Sequence, residues 1–434
     1  MAGGGPTGRE VLRTNNVTYQ MARMTEHANI GDNNLFEGVV EGQQGTVSDE
    51  RLEQIRGAVE ISREAVKAAS ITAIDILREI PAFMAGLDLE DELVNPFVHI
   101  EAPIWEEEEV PTEMIEAAHA YCHILTRKEA GNFYHAFKYL PDNKLRAIDS
   151  YYAFCRRADD ITDGDYEDVF PGSLGADDEE AVEYRRSLEE LTGDKSVLDA
   201  PTYRDKLAQL FFYRKKLSTA YNCHSSTDPI FMALKDSVTR FDIPKEYLDD
   251  MISGMEDDLY TNRYRTFEDL YRYCYKVAST VGLVCIEIYG YDDPRAKEYA
   301  EAWGIFMQLT NILRDVQEDA LDNRVYLPLD ELARHGIKVT ELAGDLSNDK
   351  RWHAFVTDYI ERAEIYREKG MKLLPLLDRK SRYSPAAMMA LYSSILKKIK
   401  KKDGDVFHGT IKLTKAEKLT LAAIVYTKQR FLRL

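Results

Sequence analysis

Two aspartate pairs with the same spacing limit what this chain can fold into. Asp159 and Asp163 lie in Y-A-F-C-R-R-A-D-D-I-T-D (152–163), and Asp315 and Asp319 in Q-L-T-N-I-L-R-D-V-Q-E-D (308–319). Residues four apart share one face of a helix. Asn311 stands one turn before Asp315 on that face, with Gln308 close to the same stripe. Like charges at this spacing cost a helix a few tenths of a kcal/mol, and no Lys on the second stripe relieves the repulsion. The first pair follows a helical run of apolar and aromatic residues, Ile148, Tyr151, Tyr152 and Phe154. Acids so far apart in sequence form one site only if their helices face each other, as they do in bundles. Oxygen ligands of this kind suit a hard cation such as Mg²⁺, which bridges protein carboxylates to substrate phosphates. An arginine accompanies each pair, Arg156 and Arg324. Mg²⁺ with arginine is a diphosphate-handling set.

The remainder of the sequence agrees with an all-α domain. From Thr112 onward nearly every segment is helical in pattern. Breaks fall at Pro141, around Pro171–Asp178, at Thr192–Pro201, Pro229, Pro244, Tyr289–Pro294, Leu327–Pro328 and Asp403–Gly409. No period-two alternation persists, and no Rossmann glycine pattern occurs. Residues 1–47 read as a loose acidic segment and 48–111 as a helical extension and connector, with 112–434 as the main domain. Residues 1–120 carry 23 acids against 8 Lys or Arg, so −15 of the formal charge of −19 lies there. An acidic chain without a basic stripe argues against nucleic acid as partner. Five cysteines without a C-x-x-C point to reduced thiols. No run of 18 apolar residues suggests a membrane span. The first residues lack an apolar signal core and read as too acidic for a transit peptide. These features give a cytoplasmic expectation.

The sequence resembles the phytoene/squalene synthase family of head-to-head prenyl transferases. The resemblance rests on N-F-Y-H-A-F-K-Y-L-P (132–141), the first aspartate block, G-M-E-D-D (254–258) with R-Y-R-T-F (263–267), Y-C-Y-K-V-A-S-T-V-G (273–282), and the second block through R-V-Y-L-P (324–328). It spans about residues 120 to 430 and implies an isoprenoid-synthase helical bundle around a central substrate cavity.

It also implies a reaction. Diphosphate leaves one allylic prenyl diphosphate, and the resulting cation is attacked by the double bond of another. The product is a cyclopropylcarbinyl diphosphate, which ionises again, rearranges and ends by proton loss or hydride capture. Asp159, Asp163, Asn311, Asp315 and Asp319 are the implied Mg²⁺ ligands, with Mn²⁺ as the alternative ion. Such an ion would neutralise the charge developing on the leaving group. Arg156 would hold a phosphate oxygen, with Tyr152 one turn before it. Phe133, Tyr264, Ala278, Gly282, Gln308, Arg324 and Tyr326 are the implied substrate contacts, with Tyr134 and Phe267 as further aromatic candidates. Asp160, about 100° round the helix from Asp159, is expected behind the metal ligands. Ala278 and Gly282 form a small-residue stripe, open to either a prenyl chain or a neighbouring helix.

Two departures from the family pattern stand out. Phe407 is followed by His408, Gly409 and Thr410 where the family carries two arginines, leaving Lys412 as the substitute. Glu129, Ala130 and Gly131 replace small hydroxyl and basic residues. The first expectation is a 15-cis-phytoene synthase joining two geranylgeranyl diphosphates. The alternative joins two C15 units into presqualene diphosphate, squalene or dehydrosqualene, with NADPH required only for squalene. A non-catalytic assembly factor of the same fold and a terpene cyclase are the remote alternatives. The very apolar product implies peripheral contact with a membrane surface. The sequence gives no oligomeric state.

Overall fold

The computed structural model describes residues 110–164, 179–192, 201–222, 226 and 228–425, less the single positions 415, 419 and 423. The expected segment 1–47, and all of the expected segment 48–111 except its last two residues, lie outside the described residues. The described chain is helical throughout. It has no strand, only two isolated bridges, Arg263 with Val325 and Tyr291 with Leu377.

In chain order the helices are α1 (Thr112–Glu129), α2 (Asn132–Phe137), α3 (Asp142–Asp163), α4 (Glu179–Thr192), α5 (Pro201–Tyr221), α6 (Pro229–Phe241) and α7 (Lys245–Tyr260). They continue with α8 (Phe267–Cys274), α9 (Thr280–Tyr289), α10 (Arg295–Leu321), α11 (Leu329–Arg334), α12 (Lys350–Gly370) and α13 (Tyr383–Lys401). Proline and small capping residues set several boundaries. Pro141 and Pro244 stand at the N-caps of α3 and α7, where a missing N–H costs nothing. The Asp228 side chain accepts from the Ile230 N–H at the start of α6. Thr266 and Asp269 form a capping box on α8.

α10, 27 residues long, is the central element. It packs against α9, α12 and the 3₁₀ segment Met371–Leu376, while α1, α3 and α6 pack together on another side. α3 and α10 face one another across a cavity that both line.

The junction of α8 and α9 is not regular α-helix. Tyr275–Ser279 winds as a π-helix, an irregularity concentrated at functional sites. Two glycines crowd it. A Cβ at Gly254 of α7 would lie 2.5 Å from Val277 Cγ1, and one at Gly304 of α10 would lie 2.5 Å from Ser279 Cα. Only glycine lets both helices approach this backbone so closely.

Candidate active site

The cavity between α3 and α10 encloses about 960 Å³, part of it open to solvent. On α3 its wall runs Ile148, Tyr151, Tyr152, Cys155, and the same stripe continues to Asp159 and Asp163. On α10 the wall runs Ala300, Gly304, Met307, Gln308, Asn311, and continues to Asp315 and Asp319. Helical periodicity therefore places an apolar trough first and an acidic end second on both facing helices. Phe133 and Phe137 of α2, with Leu373, Pro385 and Met388, close the apolar end.

Of the residues expected from sequence, Phe133, Tyr152, Ala278, Gly282, Gln308 and Asn311 line this one cavity. The small stripe meets both the cavity and a neighbouring helix. Gly282 lines the cavity, and a Cβ there would lie 3.1 Å from the Ala300 carbonyl oxygen of α10.

The acidic end is buried and electrostatically unfinished. Asp159 is 0% exposed, and neither carboxylate oxygen has a hydrogen-bond partner. Burial, with Asp163 alongside, pushes its carboxyl well above the usual carboxylate range. The nearest cation, Arg156, stands 3.8 Å away and is committed to Asp160 at 2.6 Å. Burial works against the Arg156 charge, but Asp160 and Asp159 outweigh it and hold its pKa up. Asp160 itself is pushed up to about 6 by burial. Across the cavity the buried Gln308 amide has no hydrogen-bond partner on either atom, nor has Asn311 Oδ1. Orphaned buried oxygens of this kind are costly unless a ligand completes them. Among the described residues no three His, Cys, Asp or Glu side chains converge on one point. The two pairs stand on different helices, α3 and α10.

Asp315 is buried and held by its own neighbour. Arg314 donates from Nε to Oδ1 at 2.8 Å and from a terminal nitrogen to Oδ2 at 2.6 Å. The sequence reading passed over Arg314, although it stands directly before the acid. It also passed over Tyr392 of α13, which lines the cavity with Asn311.

The larger omission is Asp258, last residue of the G-M-E-D-D block. It is 4% exposed and lies close enough to raise the Asp159 carboxyl electrostatically. Tyr273 and Tyr326 donate their hydroxyls to it at 3.0 and 3.1 Å, and Arg324 stands 3.8 Å off. Burial pushes its carboxyl up to about 7. Tyr264 packs on the same pair, with ring centroids 5.2 Å from Tyr273 and 5.6 Å from Tyr326. Tyr264, Arg324 and Tyr326 therefore form a cluster around Asp258, beside the acids and outside the apolar trough. The bridge between Arg263 and Val325 brings their two strands of chain together.

Other aromatic candidates lie elsewhere. Phe267 stacks under the Arg362 guanidinium, 4.1 Å from the ring centre, and against Tyr271 and Tyr366. Tyr134 is half-buried against His123. Lys412 is exposed, and its carbonyl accepts from Lys398 Nζ. Phe407 packs on Trp352.

Comparison with known proteins agrees with this architecture. The squalene/phytoene synthase family matches residues 126–417. The chain belongs to that family. It is an enzyme of the prenyl-transferase type acting on prenyl diphosphates. A phytoene synthase of Mycobacterium tuberculosis is 33% identical over 311 residues, 71% of this chain and 90% of that protein. A 15-cis-phytoene synthase of Synechococcus elongatus is 32% identical, covering 68% of this chain and 87% of its own. A solved dehydrosqualene synthase in complex with ligand superposes with a TM-score of 0.59 at 26% identity, over 73% of this chain and 98% of that one. No described helix is long and apolar enough to cross a membrane.

Proposed function

We propose that the protein joins two C20 prenyl diphosphates head to head, through a cyclopropylcarbinyl diphosphate, to give 15-cis-phytoene. The observation that carries this is the shared order of features on α3 and α10, an apolar trough ending in an acidic pair on each helix. Fifteen residues separate Ala300 from Asp315, so the trough runs roughly 22 Å at about 1.5 Å per residue. That length suits long prenyl tails with their diphosphates at the acidic end. The phytoene synthases at 32–33% identity support the C20 substrate. The likeness to a dehydrosqualene synthase supports the second reading, condensation of two C15 units.

Asp159 and Asp163 would hold one set of Mg²⁺ or Mn²⁺ ions, and Asn311, Asp315 and Asp319 the other. The unpartnered oxygens of Asp159 and Asn311 are the hard donors such ions take. Two half-sites fit ions that complete their shells with water and substrate phosphate. Bound there, the ions would neutralise charge on the departing diphosphate. The chain's own residues do the rest. Arg156 presents a guanidinium beside the first pair, and Asp160 holds it in place. Tyr152 stands at the boundary of trough and acids, its buried hydroxyl without a hydrogen-bond partner. The trough excludes water from the allylic cation, and aromatic faces such as Phe133 and Tyr152 favour its charge.

Product analysis tests this. Purified protein with Mg²⁺ is incubated separately with C20 and C15 diphosphate, with and without NADPH. A C40 hydrocarbon from C20 substrate is expected. A C30 product would move the protein to the second reading, with NADPH dependence showing how the last cation is quenched. No condensation from either substrate would refute both.

A further inference from the structure

We propose that Arg314 is an internal counter-ion that holds the second aspartate pair until a divalent ion displaces it, so that the two pairs load in a fixed order, Asp159 and Asp163 before Asp315 and Asp319. This rests on the reading of the two pairs as metal sites given above. The pairs stand in opposite states. Asp159 is buried, and neither of its oxygens is hydrogen-bonded. Its nearby cation, Arg156, reaches no closer than 3.8 Å and pairs instead with Asp160 at 2.6 Å. Asp315 has both oxygens taken. Arg314 donates from Nε to one at 2.8 Å and from a terminal nitrogen to the other at 2.6 Å, and both side chains are 5% exposed.

The fork is unusual for its spacing. Adjacent residues of a helix point about 100° apart and do not face each other. It forms because the long Arg314 side chain folds back round α10 onto its neighbour. Two-point, charge-assisted bonds of this kind are strong, and more so away from water. A divalent ion brought to Asp315 meets the guanidinium charge at contact distance, in a buried site that salt screens little. At Asp159 it meets two bare oxygens instead. Arg314 also has somewhere to go. Tyr392 of the cavity wall lies close enough to act on its charge, so the cavity borders the guanidinium and offers it room. When the ion leaves, Arg314 returns and spares Asp315 from standing as an uncompensated buried charge.

The test is binding of Mn²⁺ alone to the full-length protein, followed by loss of the free-ion electron paramagnetic resonance signal, with no substrate present. Wild type is expected to show a tighter and a weaker class of site, about tenfold apart or more, that ratio being the worth of one charge-assisted hydrogen bond. Asp159→Asn should remove the tighter class and Asp315→Asn the weaker. Arg314→Gln should tighten the weaker class about tenfold and leave the tighter class unchanged. Arg314→Lys keeps a buried cation without the fork. It carries the test even where the Gln variant fails to fold, and should tighten the weaker class by a smaller factor. A single class in wild type, loss of the tighter class in Asp315→Asn alone, or a weaker class unmoved by Arg314→Lys would overturn the proposal. Mn²⁺ binding that needs Asp159 and Asp315 but ignores Arg314 would sink the exchange and keep the metal reading, whereas no Mn²⁺ binding by wild type would sink both.

Discussion

Asp159→Asn should stabilise the metal-free protein while abolishing turnover. Asp159 is fully buried, its two oxygens make no hydrogen bond, and its nearest cation is 3.8 Å away. Its carboxyl is held well above the ordinary 3.8 by burial and by Asp163. The folded state thus binds the proton more tightly than the unfolded state. Stability in the absence of metal is then full below about pH 4 and falls as pH rises toward the folded pKa. One pH unit is worth about 1.4 kcal/mol, so at pH 7 the cost of this single group is capped near 4 kcal/mol. The Asn side chain removes the charge but keeps a buried amide to satisfy, at about 1–3 kcal/mol. We expect a net gain of at most about 3 kcal/mol, or up to roughly 5 °C in Tm. Calorimetry in EDTA and in Mg²⁺ measures it. Wild type should gain stability with Mg²⁺, about 2.7 kcal/mol at a hundredfold excess over Kd, and the variant should gain less. A variant that melts below wild type in EDTA, or that retains wild-type turnover, would refute the reasoning.

Three further outcomes are expected. Gly304→Ala places a methyl 2.5–2.7 Å from the backbone of Ala278 and Ser279, so it should cost about 1–3 kcal/mol by overpacking. Gly282→Ala, facing one carbonyl at 3.1 Å, should cost less, and thermal melts showing the reverse order would contradict this. Tyr326→Phe removes the hydroxyl that donates to buried Asp258 at 3.1 Å. Chemical denaturation should show a loss of about 1–3 kcal/mol, and an unchanged midpoint would contradict the role given to this contact. His119 is buried against Asp236 at 3.0 Å, and burial lowers its pKa from 6.5. Its contribution is therefore present above pH 6.5 and lost as pH falls through the folded pKa. Denaturation midpoints across that range should fall less steeply in His119→Asn, and an equal slope would count against this assignment.

The placing of each acid pair on one helix face was legible because a four-residue repeat reports a helix face without any tertiary knowledge. Tyr152, Gln308 and Asn311 followed from the same stripes. The helix starts at Pro141, Pro229 and Pro244 were legible because proline acts locally. What escaped depended on partners distant in sequence. The π-helix at Tyr275–Ser279 exists where Gly254 and Gly304 press from two other helices, and nothing in the local pattern announces it. Asp258 gained its place from Tyr273, Tyr326 and Arg324, and G-M-E-D-D by itself reads as an ordinary acidic helix end. Phe267 shared the block of Tyr264, yet three residues carry it to the far side of α8, against Arg362 of α12. The apolar character of a helix face is visible in sequence, but whether it meets a cavity or another helix is not.

The central claim is that the facing pairs hold divalent ions that receive the diphosphate. The most direct measurement is anomalous diffraction from crystals grown with Mn²⁺ and a non-hydrolysable prenyl thiodiphosphate. The account predicts Mn²⁺ peaks against Asp159 and Asp163 and against Asn311, Asp315 and Asp319, with the prenyl tail in the trough between α3 and α10. Analogue bound in the trough with no Mn²⁺ at either pair would contradict it.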